Sequence, residues 1–77
     1  MSIQYTGSVK WFSNTKGFGF ITQDNGEKDV FVRTDSVRTE ENNDLMQGQK
    51  VSFHIKHGKR GMQATQVVIL RPYPSHY

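Results

Sequence analysis

The sequence contains no cysteine, which excludes disulfide bonds and thiolate metal sites and gives no sign of an oxidising compartment. No apolar run approaches the roughly 20 residues that a membrane-spanning helix needs, and the N-terminus lacks the basic and then apolar pattern of a signal peptide. These absences predict a soluble, cytoplasmic protein that does not associate with membranes.

Groupings of residues that support catalysis or metal binding are also scarce. His54 and His57 would lie on opposite faces of a strand, and the sequence places no carboxylate or third ligand beside them. There is no Ser-His-Asp spacing, and Gly17 and Gly19 are not followed by a helix N-terminus that could bind phosphate. We therefore predict that the protein is not an enzyme and uses no cofactor and no metal.

The chain has 77 residues and a formal net charge of +3. A chain of this size forms one small domain of marginal stability, so each large apolar side chain left outside is a loss to the core. Exposed aromatic residues are therefore informative here. The mild positive charge is compatible with a polyanionic partner.

Five segments have the composition and alternation of β-strands and are separated by turn residues, with Asn25-Gly26 as a strong hairpin signal. The predicted strands are Tyr5 to Ser13, Phe18 to Gln23, Val30 to Arg33, Gln49 to Lys56 and Gln63 to Leu70. Five short strands predict an all-β, five-stranded antiparallel barrel, because closure removes the exposed edges. We expect a leader at residues 1–4, the domain at residues 5–70, and an irregular tail at residues 71–77.

The polar segment from Thr34 to Gly48 predicts a long loop, in which Thr34 or Asp35 caps one helical turn over Val37. In the fourth strand, alternation directs Val51 inward and Ser52 outward. The predicted core is Val9, Ile21, Val30, Val32, Val51, Phe53, Ile55, Val67 and Ile69.

Strand pairing predicts an outward aromatic face. If Val30 and Val32 are buried, Phe31 and Arg33 face out, and if Ile21 is buried, Phe18 and Phe20 face out. The alternative buries both phenylalanines and exposes Ile21.

Lys10 and Trp11 are adjacent, so a regular strand cannot present both, but a bulge would allow it. The alternative is a half-buried Trp11 that plugs one end of the barrel. Phe12 fits either the core or the rim. With Lys10, Lys16, Arg33 and Arg60 around it, such a face is typical of a stacking platform for unpaired bases.

The motifs Val9-Lys10-Trp11-Phe12, Lys16-Gly17-Phe18-Gly19-Phe20-Ile21 and Asp29-Val30-Phe31-Val32 resemble those of the bacterial cold-shock proteins over residues 5–70. The RNP1-type motif precedes the RNP2-type motif and no helix is predicted, unlike in RRM domains. The resemblance implies an OB-fold that binds single-stranded RNA or DNA as an RNA chaperone or antiterminator. The positions that match the family's binding residues are Lys10, Trp11, Lys16, Phe18, Phe20 and Phe31, with Arg60 at a usually basic place.

The sequence departs from the family where Arg33-Thr34 replaces the usual His-Phe. Arginine can still stack and adds fixed charge, but Thr34 removes a ring, so we expect a truncated site. The alternative is a degenerate barrel that acts as a protein-interaction module with weak or no nucleic-acid binding. We expect a monomer, although an exposed aromatic face leaves room for a weak homodimer.

Overall fold

The computed structural model describes residues 3–38, 45–59 and 61–70. Within these ranges the chain forms six strands and a single 3-10 turn at Thr34–Ser36. The strands are β1 (Tyr5–Ser13), β2 (Phe18–Gln23), β3 (Val30–Arg33), β4 (Val37–Arg38), β5 (Lys50–Gly58) and β6 (Gly61–Ile69). Arg60 and the tail at residues 71–77 lie outside the described residues.

The sheet has the order β3-β2-β1-β5-β6-β4, and a further pairing of β3 with β6 closes it into a barrel. The predicted all-β, five-stranded barrel is confirmed, with β4 as a short addition. β1 pairs antiparallel with β2 and β5, β2 with β3, and β5 with β6. In contrast, β3 and β4 each run parallel to β6. Closure therefore rests on a contact between distant parts of the chain, Phe31 with Gln63.

The core is built from one face of each strand, as alternation requires. Its buried apolar residues are Val9, Ile21, Val30, Val32, Val37, Leu45, Val51, Phe53, Ala64 and Val67. Ile55 and Ile69, which were predicted to be in the core, are only half-buried and pack against its edge. Phe12 is also half-buried and packs there, which answers the question that the sequence left open.

The segment predicted as one long loop contains more structure than expected. Its helical turn is present, but it ends at Ser36, and neither Thr34 nor Asp35 caps it with a side chain. Val37 continues as β4, which pairs with Val67 and is buried. Leu45 is buried as well, so this segment supplies two core residues that its polar composition conceals.

The last two strands are longer than predicted, because they pair as far as Gly58 and Gly61. Ser52 was predicted to face outward but is only 2% exposed. A register shift between Ser52 and His54 interrupts the alternation, and Gln66 lies in the same stretch of β6 with a φ of 50°. Ser52 Oγ accepts a hydrogen bond from Gln4 Nε2 at 3.0 Å, which satisfies a buried hydroxyl.

No helix among the described residues has the length and hydropathy to cross a membrane.

Asp24 connects the turn between β2 and β3 to two other strands. It accepts hydrogen bonds from Lys50 Nζ at 2.7 Å and from Thr6 Oγ1 at 2.8 Å. The bond from Lys50, and then that from Thr6, lowers the pKa of Asp24 below its ordinary value of 3.8. A carboxylate whose pKa is lowered by folding stabilises the folded state above that ordinary value.

We predict that Asp24→Asn lowers the urea midpoint of unfolding at neutral pH. The difference from the wild type should shrink as the pH falls below 3.8 and through the folded-state pKa. Urea titrations at several pH values between neutral and acid measure this difference. Glu27→Gln, a neighbouring acid with no side-chain ion pair among the described residues, should change the midpoint little. An Asp24→Asn deficit of equal size at neutral and acid pH would contradict the prediction.

Candidate nucleic-acid interface

Strands β1, β2 and β3 present one face away from the core, and it carries four rings. Burial alternates along β2 and β3, so that Ile21, Val30 and Val32 are buried while the residues between them are less so. Phe18, Phe20 and Phe31 are half-buried on the outward side. Trp11 is 40% exposed beside them. These four side chains, Trp11, Phe18, Phe20 and Phe31, are called the aromatic face below.

Each ring of the aromatic face contacts two others. The centroids of Trp11 lie 5.6 Å from Phe18 and 5.5 Å from Phe20, and Phe31 lies 5.7 Å from each phenylalanine. The interplanar angles range from 30° for Phe18 and Phe31 to 72° for Trp11 and Phe18. Such offset and edge contacts are favourable. The rings therefore support one another, and little side-chain ordering remains for a ligand to impose.

A bulge in β1 places Trp11 on this face. The register with β2 shifts between Val9 and Trp11, so that Trp11 lies opposite Phe20. The bulge inferred from the adjacent Lys10 and Trp11 is present. At the bulge, the backbone N–H of Val9 donates a hydrogen bond to the carbonyl oxygen of Gln49 at 2.9 Å. With its side chain exposed, Trp11 does not plug the barrel.

Gly19 allows the two backbones to approach closely at this point. A Cβ at this position would overlap the carbonyl oxygen of Trp11 and lie 2.7 Å from Phe12 Cα. Because these are backbone atoms, they cannot move aside without disturbing the pairing of β1 with β2. The absent side chain is therefore a condition for the contact between Trp11 and its two phenylalanine neighbours.

The cations predicted around the aromatic face differ in their partners. Lys10 Nζ donates to Asp29 Oδ2 at 2.8 Å, and both side chains are partly exposed. Arg33 Nε lies 3.8 Å from Asp35 Oδ1, beyond hydrogen-bonding distance. Lys16 is exposed, and its side chain has no ion pair within the described ranges. Arg60 lies outside them.

Thr34 occupies the place at which the family resemblance implies a phenylalanine ring. Its backbone N and its Oγ1 both donate to the carbonyl oxygen of Gly17 at 3.0 Å. The side chain is thus half-buried against the turn between β1 and β2 instead of extending the aromatic face. Along β3, the last outward residue next to the rings is Arg33, which pairs with Phe18.

An open groove of about 540 Å³ lies at the other border of the aromatic face. Phe20, Phe31 and Arg33 line one side of it, and residues of the β5–β6 hairpin, including Lys59 and Gln63, line the other. Sequence reasoning missed Lys59 and Gln63. The basic composition of that turn was the only available signal, since no local pattern shows that β6 pairs with β3.

Within the part of the chain that the structure describes, no group of three or more His, Asp or Glu side chains could hold a metal ion.

Comparisons with known proteins place this geometry in a family. The sequence model of the protein family described as the "Cold-shock" DNA-binding domain matches residues 5–70. Cold shock protein CspV of Vibrio cholerae is 57% identical over 70 residues, which cover 91% of this chain and 100% of that protein. Cold shock-like proteins CspG of Shewanella violacea and of Escherichia coli are 54% and 51% identical over the same shares.

A solved structure supports the fold. Drosophila Unr CSD456 superposes with a TM-score of 0.77 at 17% identity, covering 97% of this chain. The match spans only 30% of that longer chain, and at this identity it speaks for the fold alone. Together with the family match and the three bacterial relatives, the barrel shows that this chain belongs to the cold-shock family of nucleic-acid-binding domains.

Proposed function

We propose that the protein binds single-stranded RNA or DNA by stacking unpaired bases on the aromatic face, with little sequence preference. The observation that carries this proposal is the set of four mutually supporting rings on the outward side of β1, β2 and β3. A chain of 77 residues has few large apolar side chains with which to build a core. Keeping four of them outside it favours a function for those rings.

Stacking explains both the affinity and the weak selectivity. Each base stacked on an aromatic ring contributes about 1–3 kcal/mol, and every base has a face that can stack. The proposed stacking residues are Trp11, Phe18, Phe20 and Phe31. At most positions the protein makes no hydrogen bonds to the edges of the bases, so it does not select among them. A duplex offers no free base faces, so it should compete poorly.

The proposed role of Lys10, Lys16, Arg33 and Arg60 is to meet phosphates or further bases. Lys10 would exchange Asp29 for a phosphate as the strand docks. Exposed ion pairs are worth about 0–1 kcal/mol, so this exchange costs little. A modest number of such contacts gives a modest dependence of binding on salt.

An RNA chaperone or antiterminator role follows from the same chemistry. A protein that binds only the open strand shifts the pairing equilibrium towards it by mass action. Strands that open spontaneously would be captured on the aromatic face and kept from closing again. Neither catalysis nor a cofactor is required.

Fluorescence anisotropy of a labelled pyrimidine-rich strand tests the proposal, with the matching duplex as competitor. We expect saturable binding that weakens as salt rises, with a slope of about −0.7 for each phosphate contact. Phe31→Ala should reduce affinity roughly five- to 150-fold, the loss of one stacked base. Val68→Ala truncates an exposed apolar residue outside the aromatic face and should bind like the wild type.

Salt-independent binding, equal competition by the duplex, or an unchanged Phe31→Ala variant would contradict stacking of unpaired bases. The alternative of a protein-interaction module would then be favoured, since apolar docking changes little with salt.

We predict that Thr34→Phe tightens single-strand binding, because it adds a ring beside Arg33 at the border of the aromatic face. One more stacked base corresponds to a gain of roughly five- to 150-fold in the same titration. The variant should also lose about 0.5–1.5 kcal/mol of stability, because it loses the hydrogen bond from Thr34 Oγ1 to Gly17 O. Thr34→Val, which loses that bond without adding a ring, is the matched control. Equal affinities of the two variants would contradict the prediction.

A further inference from the structure

The groove between β3 and the β5–β6 hairpin is lined by aromatic rings and by side chains that donate hydrogen bonds. Its apolar surface comes from Phe20 and Phe31 of the aromatic face together with Met62. Among the described residues that line it, the polar side chains are those of Arg33, Lys59 and Gln63, and none is an acid. The groove therefore combines rings on which a base can stack with a border rich in hydrogen-bond donors. Its volume of about 540 Å³ falls within the range of small-molecule sites.

Arg33 lies beside the stacking rings, and its guanidinium can donate hydrogen bonds to a bound base. It pairs across the strands with Phe18 and lies on the same face of β3 as Phe31. The Arg33 and Asp35 side chains are 58% and 75% exposed, and Arg33 Nε lies 3.8 Å from Asp35 Oδ1. That contact orients the guanidinium weakly and occupies none of its five N–H donors with a hydrogen bond.

Gln63 borders the opposite side of the groove. It is the residue of β6 that pairs with Phe31, so it is fixed next to the ring on which a base would stack. Its side chain is half-buried and carries one donor group and one acceptor. An arginine fork on one side and an amide on the other can contact the edge of a single base between them.

The four bases differ in how well they match an arginine fork. Guanine presents two neighbouring acceptors, O6 and N7, whereas adenine and cytosine place an amino donor at the corresponding edge. Thymine offers O4 alone there, next to its methyl group. A planar guanidinium can donate to both guanine acceptors at once, and a lysine ammonium lacks this fork.

We propose that Arg33 makes this groove a guanine-preferring position within an otherwise unselective strand path. The base stacks against Phe31 while Arg33 donates to its O6 and N7. This inference rests on the proposed single-strand binding and adds to it a preference at one nucleotide. On this proposal, the arginine that replaces the family's usual histidine changes which base the site prefers and does not merely weaken binding.

The experiment compares a short oligothymidylate with a set of strands in which a single dG replaces each dT in turn. Anisotropy competition gives the ratio of affinities for each strand. We expect one position at which dG binds about five- to tenfold more tightly than dT, the lower end of bidentate discrimination because the groove is open. Replacing that dG by 7-deazaguanine, which lacks the N7 acceptor, should remove most of the gain.

Two variants assign the preference to Arg33. Arg33→Met keeps a long side chain but removes the charge and every N–H donor, so its affinity for both strands should fall while the ratio of dG to dT approaches one. Lys28→Met is the matched control, the loss of one cationic side chain at an exposed residue outside the groove. It should keep the wild-type ratio.

The outcomes separate this inference from the proposed function on which it rests. Wild-type protein that binds oligothymidylate but prefers dG at no position would overturn the guanine site and leave stacking intact. A preference that persists in Arg33→Met would overturn the role of Arg33. Absence of binding to every single strand would overturn both.

Discussion

Where β1 passes Gly19, the two backbones lie so close that no Cβ would fit between Gly19 and the carbonyl oxygen of Trp11. The bulge after Val9 brings Trp11 to this point, opposite Phe20. The indole then completes a set of ring contacts that spans all three strands of the outward face. On the inward side, Ile21, Val30 and Val32 fill the barrel. One tight strand contact thus separates a core of branched side chains from an outward layer of large rings, of which Trp11 is exposed and the three phenylalanines are half-buried.

The charges around the aromatic face suit a binder that depends on stacking more than on electrostatic attraction. The net charge is only +3. Lys10 is paired with Asp29, and Lys50, away from the rings, is paired with Asp24. Such exposed pairs are easily exchanged for phosphate, but they reduce the long-range field that would attract a polyanion. Preassembled rings, which need little ordering, would then supply most of the binding free energy.

Much of the sheet could be predicted because its signals are local. Alternation along Phe18–Gln23 and Val30–Arg33, with Asn25-Gly26 between them, defines a hairpin and the faces of its residues. The adjacent Lys10 and Trp11 indicate a bulge by the same local reasoning. These features determine where the four rings lie, so local sequence signals are enough to predict the aromatic face.

The remaining features depend on contacts between distant residues. Nothing in the polar stretch around Val37 and Leu45 shows that both are buried, because their partners are elsewhere in the chain. The parallel pairing of Phe31 with Gln63, and with it the groove, has no local pattern. The register shift that buries Ser52 also has no signal in the local sequence. Thr34 was recognised as a missing ring, but its hydrogen bonds to Gly17 required the structure.

The most direct test of the central claim uses the single tryptophan of the chain, Trp11, as its own reporter. A pyrimidine-rich single strand is titrated into the protein at low and moderate salt while indole emission and strand anisotropy are followed together. Stacking on the aromatic face predicts saturable quenching that tracks binding, weakens with salt and is absent with the duplex. A strand that binds, by anisotropy, without changing Trp11 emission would contradict it and place the binding surface elsewhere.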